Sequence, residues 1–128
     1  MQINWNDKEP IYLQLRDRLV ELILDEVLHE GESLPSVRQV ASEQRINPIT
    51  VSKAFQMMVD EGLVEKRRGL GMYVVTGARA KLRSDEKQKF LSEEWPAIME
   101  RIARLDLDMD QLIRGTKAVS GKTDGKSK

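Results

Sequence analysis

Two clusters of side chains in this chain carry chemistry, and both suit contact with a polyanion. The first is Lys66-Arg67-Arg68-Gly69-Leu70-Gly71, a run of cations followed by glycines that can take positive φ and turn tightly. A basic hairpin tip of this kind suits phosphate contact or insertion into a minor groove. The second lies on the helical pattern opened by Asn47-Pro48, where Ile49, Ser52, Lys53 and Gln56 share one face. That face is polar yet bears a single charge, fewer than an ordinary solvated face. Short polar groups with a methyl or two are what base edges require, and the Gln56 amide is able to read adenine bidentately. Read alone, the hairpin is as readily a solvated turn. Following two helical patterns, it completes the order of a winged helix-turn-helix.

Other chemistries find little support. The chain has no cysteine and a single histidine, His29, which reads as a surface residue near a helix end. Neither a nucleophile–base pair nor a metal-ligand cluster nor a phosphate cradle after a strand is legible. The paired acids Glu93-Glu94 and the series Asp106, Asp108 and Asp110 read as helix starts and solvated turns. The expectation is a non-enzyme without cofactor or metal. The formal net charge of zero counts against a nucleic-acid binder unless charge is segregated. It is: the acids concentrate in the first helix, and Arg38, Arg45, Lys53, Lys66, Arg67 and Arg68 fall on the side offered to DNA.

The elements that must position these residues follow from periodicity. Pro10 suits the first turn of a helix, where its missing N–H costs nothing. Ile11, Leu15, Leu19, Leu22 and Ile23 recur at helical spacing, with Leu28 closing the stripe, His29 and Glu30 ending the helix and Gly31 stopping it. Gly31 to Pro35 reads as a turn. Ser36 and Gln39 form a reciprocal capping signature for a short second helix ending before Ile46. Asn47 and Pro48 open the third, whose inner stripe is Val51, Ala54, Phe55, Met58 and Val59. Leu63 to Lys66 and Met72 to Val75 read as the two strands of the hairpin.

Gly77 marks the expected end of the winged domain, residues 1–77. Residues 78–114 read as a helical segment with Phe90, Leu91, Ile98, Ile102, Leu105 and Leu112 as apolar contacts. Pro96 either breaks this segment, with Ser92 capping a new helix, or kinks a single one. Asp108 is placed to cap a last short helix with Met109, Leu112 and Ile113 inward. The segment is too short for its own core. Its apolar residues must pack on the first helix or on the same segment of a second chain, and a two-fold dimer is the expectation. Residues 115–128 read as a disordered tail.

At this point the residues from about Pro10 to Val75 resemble the GntR family of bacterial transcription regulators. The resemblance rests on Leu34-Pro35-Ser36-Val37-Arg38, Ile46-Asn47-Pro48-Ile49-Thr50-Val51-Ser52-Lys53-Ala54, Gly62-Leu63-Val64-Glu65 and Gly69-Leu70-Gly71-Met72-Tyr73-Val74. The short helical C-terminal part is similar to the YtrA subfamily. The resemblance implies that Arg38 and Thr50 contact DNA, that Ser36 meets phosphate as well as capping, and that Gly69 and Gly71 are the wing glycines. Pro48 stands where many members have arginine, which removes one base-reading candidate. It also implies repression of a nearby operon, often one encoding an ABC transporter.

The sequence thus predicts a mainly α protein with a small β-hairpin, a winged helix-turn-helix followed by a short dimerisation segment. Its expected partners are double-stranded DNA, bound at a palindromic operator, and a second copy of itself. A small-molecule effector is compatible with this reading, its pocket falling between the domains or at the dimer interface. No apolar run reaches the roughly 18 residues of a membrane span, and the N-terminus lacks signal-peptide regions, so a cytoplasmic location is expected. The rival reading is a winged helix used for protein interaction without specific DNA binding. The basic wing argues against that rival.

Overall fold

Pro10 is the N-cap of the first helix, α1 (Ile11–Leu24), which stops five residues before the expected end at His29. Glu26 takes a left-handed φ of 61°. The Val27 N–H then reaches the Leu22 carbonyl at 2.8 Å and the Glu26 N–H that of Ile23 at 3.1 Å. These two bonds form a Schellman closure built without glycine. Leu28 still packs against the core, but from the returning chain. The computed structural model describes residues 1–115, so apart from Gly115 the expected disordered tail lies outside the described residues.

Ser36 caps the second helix, α2 (Val37–Gln44), its Oγ accepting from the Gln39 N–H at 3.0 Å. The reciprocal half of the expected box does not form, because the Gln39 amide turns to Glu43 at 3.4 Å instead. Arg45 takes a left-handed φ of 57° and the Ile46 N–H returns to the Ala41 carbonyl, ending α2 in the same manner as α1. The third helix, α3 (Pro48–Asp60), begins where Asn47 Oδ1 accepts from the Ile49 N–H at 2.8 Å. Val51, Ala54, Phe55 and Met58 are its buried side, as the periodicity requires.

The hairpin pairs β1 (Val64–Arg67) with β2 (Gly71–Val74), antiparallel, with Val64 opposite Val74 and Arg67 opposite Gly71. Alternation sets Val64, Lys66, Met72 and Val74 on one face and Glu65, Arg67 and Tyr73 on the other. The stretch Gly31 to Pro35, read from sequence as a turn, does begin in one, with Gly31 at a φ of 86°, and then runs beside β2 with an isolated bridge from Ser33 to Tyr73. Its Gly31 and Leu34 N–H groups donate to Val74 and Met72, and Glu32 accepts from Val74. Leu34 is buried there. One apolar residue is too few to display a period, which is why the pattern was silent.

These elements close around Leu15, Leu19, Ile23, Val40, Val51, Phe55, Met58, Leu63 and Val74, all buried. Two further contacts lock the frame. Arg16 donates Nε and Nη2 to the two oxygens of Glu61 at 3.0 and 2.9 Å, tying α1 to the end of α3. Buried Gln14 holds the N-terminal lead-in, accepting from the Asn6 N–H and donating to the Asn6 and Glu9 carbonyls.

The fourth helix, α4 (Ala78–Lys89), starts with Ala78 and Leu82 in this core. The first compact unit therefore spans Met1–Asp85 and the second begins at Glu86. Between α4 and the fifth helix, α5 (Trp95–Arg104), the backbone stays helical through a π-turn, Phe90–Glu94. The Trp95 N–H reaches back to the Phe90 carbonyl. The wider turn makes room for the Pro96 ring, which would otherwise clash with the carbonyl four residues before it. Ser92 thus lies inside the helical run and caps nothing, which decides for continuity over a break. Asp108 Oδ1 accepts from the Asp110 N–H at 2.9 Å at the start of α6 (Met109–Gly115). Met109 and Leu112 of α6 are half-buried, whereas Ile113, expected inward, is 64% exposed.

Candidate nucleic-acid interface

The outer face of α3 is open. Ile49, Ser52, Lys53 and Gln56 are exposed and Thr50 is half-buried at its flank. Ile49 is 75% exposed, an unusual position for a large apolar side chain next to a polar face. Beside Ser52 and Gln56 lies a groove of about 810 Å³, walled by Ser36 and Gln39 of α2 and by Lys66, Leu70 and Gly71 of the wing. The groove thus joins Ser36, Ser52, Gln56 and Gly71 of the expected contacts, together with Lys66, along one concave side, while Arg38, Ile49, Thr50, Lys53, Arg67, Arg68 and Gly69 lie outside its lining. Ser36 stands at its rim while its hydroxyl caps α2.

The cations divide into two kinds. Arg38, Lys66 and Arg68 are exposed and make no hydrogen bond or ion pair among the described residues. Arg67 and Lys53 are held. Arg67 lies inside β1, its Nε donating to Glu65 at 3.0 Å and its guanidinium resting 4.1 Å from the Tyr73 ring centroid. The expected cluster of three charges at the hairpin tip is therefore spread out. Lys66 and Arg67 point to opposite faces of β1, and only Arg68, with Gly69 and Leu70, occupies the turn. The Lys53 ammonium sits 4.1 Å from the Tyr12 ring centroid. Gln56 donates to Asp60 at 3.0 Å, one helical turn on. Gly69 and Gly71 take φ of 74° and 109°, the left-handed backbone that lets a three-residue turn close.

Sequence reasoning missed the supporting groups Tyr12, Glu65, Tyr73 and Asp60. Asp60 was findable from i,i+4 spacing and Glu65 and Tyr73 from strand alternation. Tyr12 lies 41 residues from Lys53 and carried no local signal. The expected dimer contacts all fall in the second unit. There Phe90, Leu91, Ile98 and Leu105 are 40 to 57% exposed, and Ile102 and Leu112 half-buried. The Phe90 and Trp95 rings lie 6.2 Å apart.

Residues 11–74 match the family model described as "Bacterial regulatory proteins, gntR family". The chain belongs to the GntR family. This GntR protein is 30% identical over its full length to the transcriptional repressor YtrA of Bacillus subtilis, covering 98% of it. It is 29% identical to the transcriptional regulator YhcF of the same organism, over 91% of this chain and 95% of that one. Among solved structures, YtrA of Sulfolobus acidocaldarius, a GntR-family transcription factor, is similar at 35% identity and a TM-score of 0.55, over 71% of this chain and 97% of that one. A transcriptional regulator of Oenococcus oeni shares the fold at a TM-score of 0.72, over 93% and 98% of the two chains, with 24% identity. The DNA-binding domain of AraR, solved with its operator, shares the fold over 59% of this chain and 96% of that domain, at a TM-score of 0.55 and 18% identity. The chain is thus a DNA-binding transcriptional regulator with a winged helix-turn-helix. Its relatives are regulators and not enzymes, and no helix among the described residues is long and apolar enough to cross a membrane.

Proposed function

We propose that this protein is a homodimeric repressor that binds a roughly palindromic operator, with α3 in the major groove. The observation that carries the reading is the open face of α3, beside a groove whose lining includes the free cation Lys66. Ile49, Thr50, Ser52, Lys53 and Gln56 meet the bases or their flanking backbone. Ile49 suits a thymine methyl, and Gln56, once released from Asp60, suits the N6 and N7 edge of adenine. Arg38 and Ser36 at the start of α2 and Lys66, Arg67 and Arg68 of the wing meet phosphates, with Gly69 and Gly71 shaping the wing's approach. The N-terminus of α3 near Thr50 adds its partial positive charge.

The apolar residues of the second unit support dimerisation, since Phe90, Leu91, Ile98 and Leu105 are exposed, Ile102 and Leu112 are only half-buried, and none of the six lies in a core. Residues 78–114 then serve as the dimerisation segment. Two-fold symmetry sets half-sites about one helical turn apart. The name of the Bacillus YtrA supports repression, and an operon next to the gene, with transporter genes the first to examine, is the expected target. A small-molecule effector that loosens the grip fits this scheme.

Fluorescence anisotropy on DNA from upstream of the gene, with random DNA as competitor and salt varied, tests the reading. Binding that survives the competitor and weakens smoothly with salt is expected. Equal, weak binding to both DNAs would favour the protein-interaction module instead.

A further inference from the structure

The exposed lysine on the outer face of α3 is seated on a residue of a different helix. Tyr12 sits in the first turn of α1, half-buried against the core, in a helix expected from sequence to face away from DNA. Lys53 is exposed and has no carboxylate partner among the described residues. Its ammonium instead lies 4.1 Å from the Tyr12 ring centroid. A lysine with four free torsions loses much rotamer entropy when a phosphate or base fixes it. An aromatic face attracts the ammonium without neutralising it, because a ring quadrupole carries no net charge. A carboxylate in the same place would cancel the charge that DNA must meet.

We propose that Tyr12 is a positioning residue for DNA binding. Its ring holds the Lys53 side chain in one arrangement along α3 before DNA arrives and leaves the full positive charge available. This rests on the reading that α3 meets DNA. It also gives α1 a part in recognition. Ordering one rotamer-rich side chain beforehand is worth about a two- to tenfold gain in affinity.

The test is a double-mutant cycle in anisotropy on the upstream DNA fragment, using Tyr12→Leu, Tyr12→Phe, Lys53→Ala and the double variant Tyr12→Leu/Lys53→Ala. Tyr12→Leu is expected to weaken binding by about two- to tenfold, and Tyr12→Phe, which keeps the ring, to bind as the parent does. On the Lys53→Ala background, Tyr12→Leu is expected to change nothing, an outcome that a merely structural role for Tyr12 would not give. Three results overturn the proposal. One is equal weakening by Tyr12→Leu with and without Lys53. Another is tighter binding by Tyr12→Leu, which would mean that the ring competes with DNA for the lysine. The third is an unaltered affinity of Lys53→Ala, which removes the lysine from the interface. If DNA recognition by α3 fails as a whole, Ile49→Ala and Gln56→Ala will also be neutral, which separates that failure from this one. Should Tyr12→Leu fold poorly, the ring-current shift of the Lys53 Cε protons in the unaltered protein decides. It is expected free and to persist on DNA, and its loss on DNA addition refutes the seat.

Discussion

Removing one wing cation should cost a definite, salt-dependent amount, and the structure says which of the two neighbouring arginines costs more. Arg68 sits in the turn of the wing, exposed and without an ion-pair partner among the described residues. Arg67, its neighbour, already faces Glu65 at 3.0 Å and Tyr73 at 4.1 Å. A cation that neutralises one DNA phosphate releases its counterions and contributes about 0.9 to the slope of log K against log salt. Arg68→Gln should therefore lower that slope by about 0.9 per protomer. If the two proteins bind alike at 1 M salt, the loss is about eightfold per protomer at 0.1 M salt and about fourfold at 0.2 M. Arg67→Gln should lower the slope less, since Glu65 cancels part of its charge in the free protein. The assay is anisotropy on one duplex over a salt series, with both variants and the parent side by side. A slope unchanged by Arg68→Gln, or lowered more by Arg67→Gln, would refute the division into free and held cations.

Three further perturbations follow from the same geometry. Asn47→Ala removes the acceptor for the Ile49 N–H and should cost about 1 kcal/mol in urea unfolding, with weaker DNA binding because the first turn of α3 loosens. Backbone N–H groups of Gly77 and Arg79 hold the exposed Glu30 carboxyl below its ordinary 4.5. Its contribution is therefore present above 4.5 and fades as pH falls through the lower folded value, so the gap in Tm between the parent and Glu30→Gln should be open near neutrality and close at strongly acid pH. A gap that stays constant with pH would mean the carboxylate is not the cause. Leu105→Asp should shift sedimentation toward monomer, because a charge placed among the uncovered apolar residues of the second unit would have to be desolvated in a dimer. An unaltered sedimentation profile would take Leu105 out of the interface.

Much of the DNA-binding unit was legible from sequence because its signals are local. A helix cap joins a side chain to an N–H two or three residues on, so Ser36 and Asn47 announced the starts of α2 and α3. The apolar spacing of Leu15 to Ile23 and of Val51 to Met58 reported which sides are buried, since one face of a regular helix meets the core. Gly69 and Gly71 marked the wing because few other residues tolerate the backbone that a three-residue turn demands. The motifs around these residues were enough to name the family. Tertiary structure decided what depends on partners distant in the chain. Ser33 formed its bridge only because β2 ran alongside it, and Gln14 was buried only because Asn6 and Glu9 returned to satisfy it. The end of α1 at Leu24 was decided by the path of the returning chain, and a wide helical turn rather than a break accommodated Pro96. The charges themselves were countable from sequence. Which of them stand free and which rest on Tyr12, Tyr73 or Glu65 was set by packing, because an ion's availability depends on what the fold brings within a few ångströms of it.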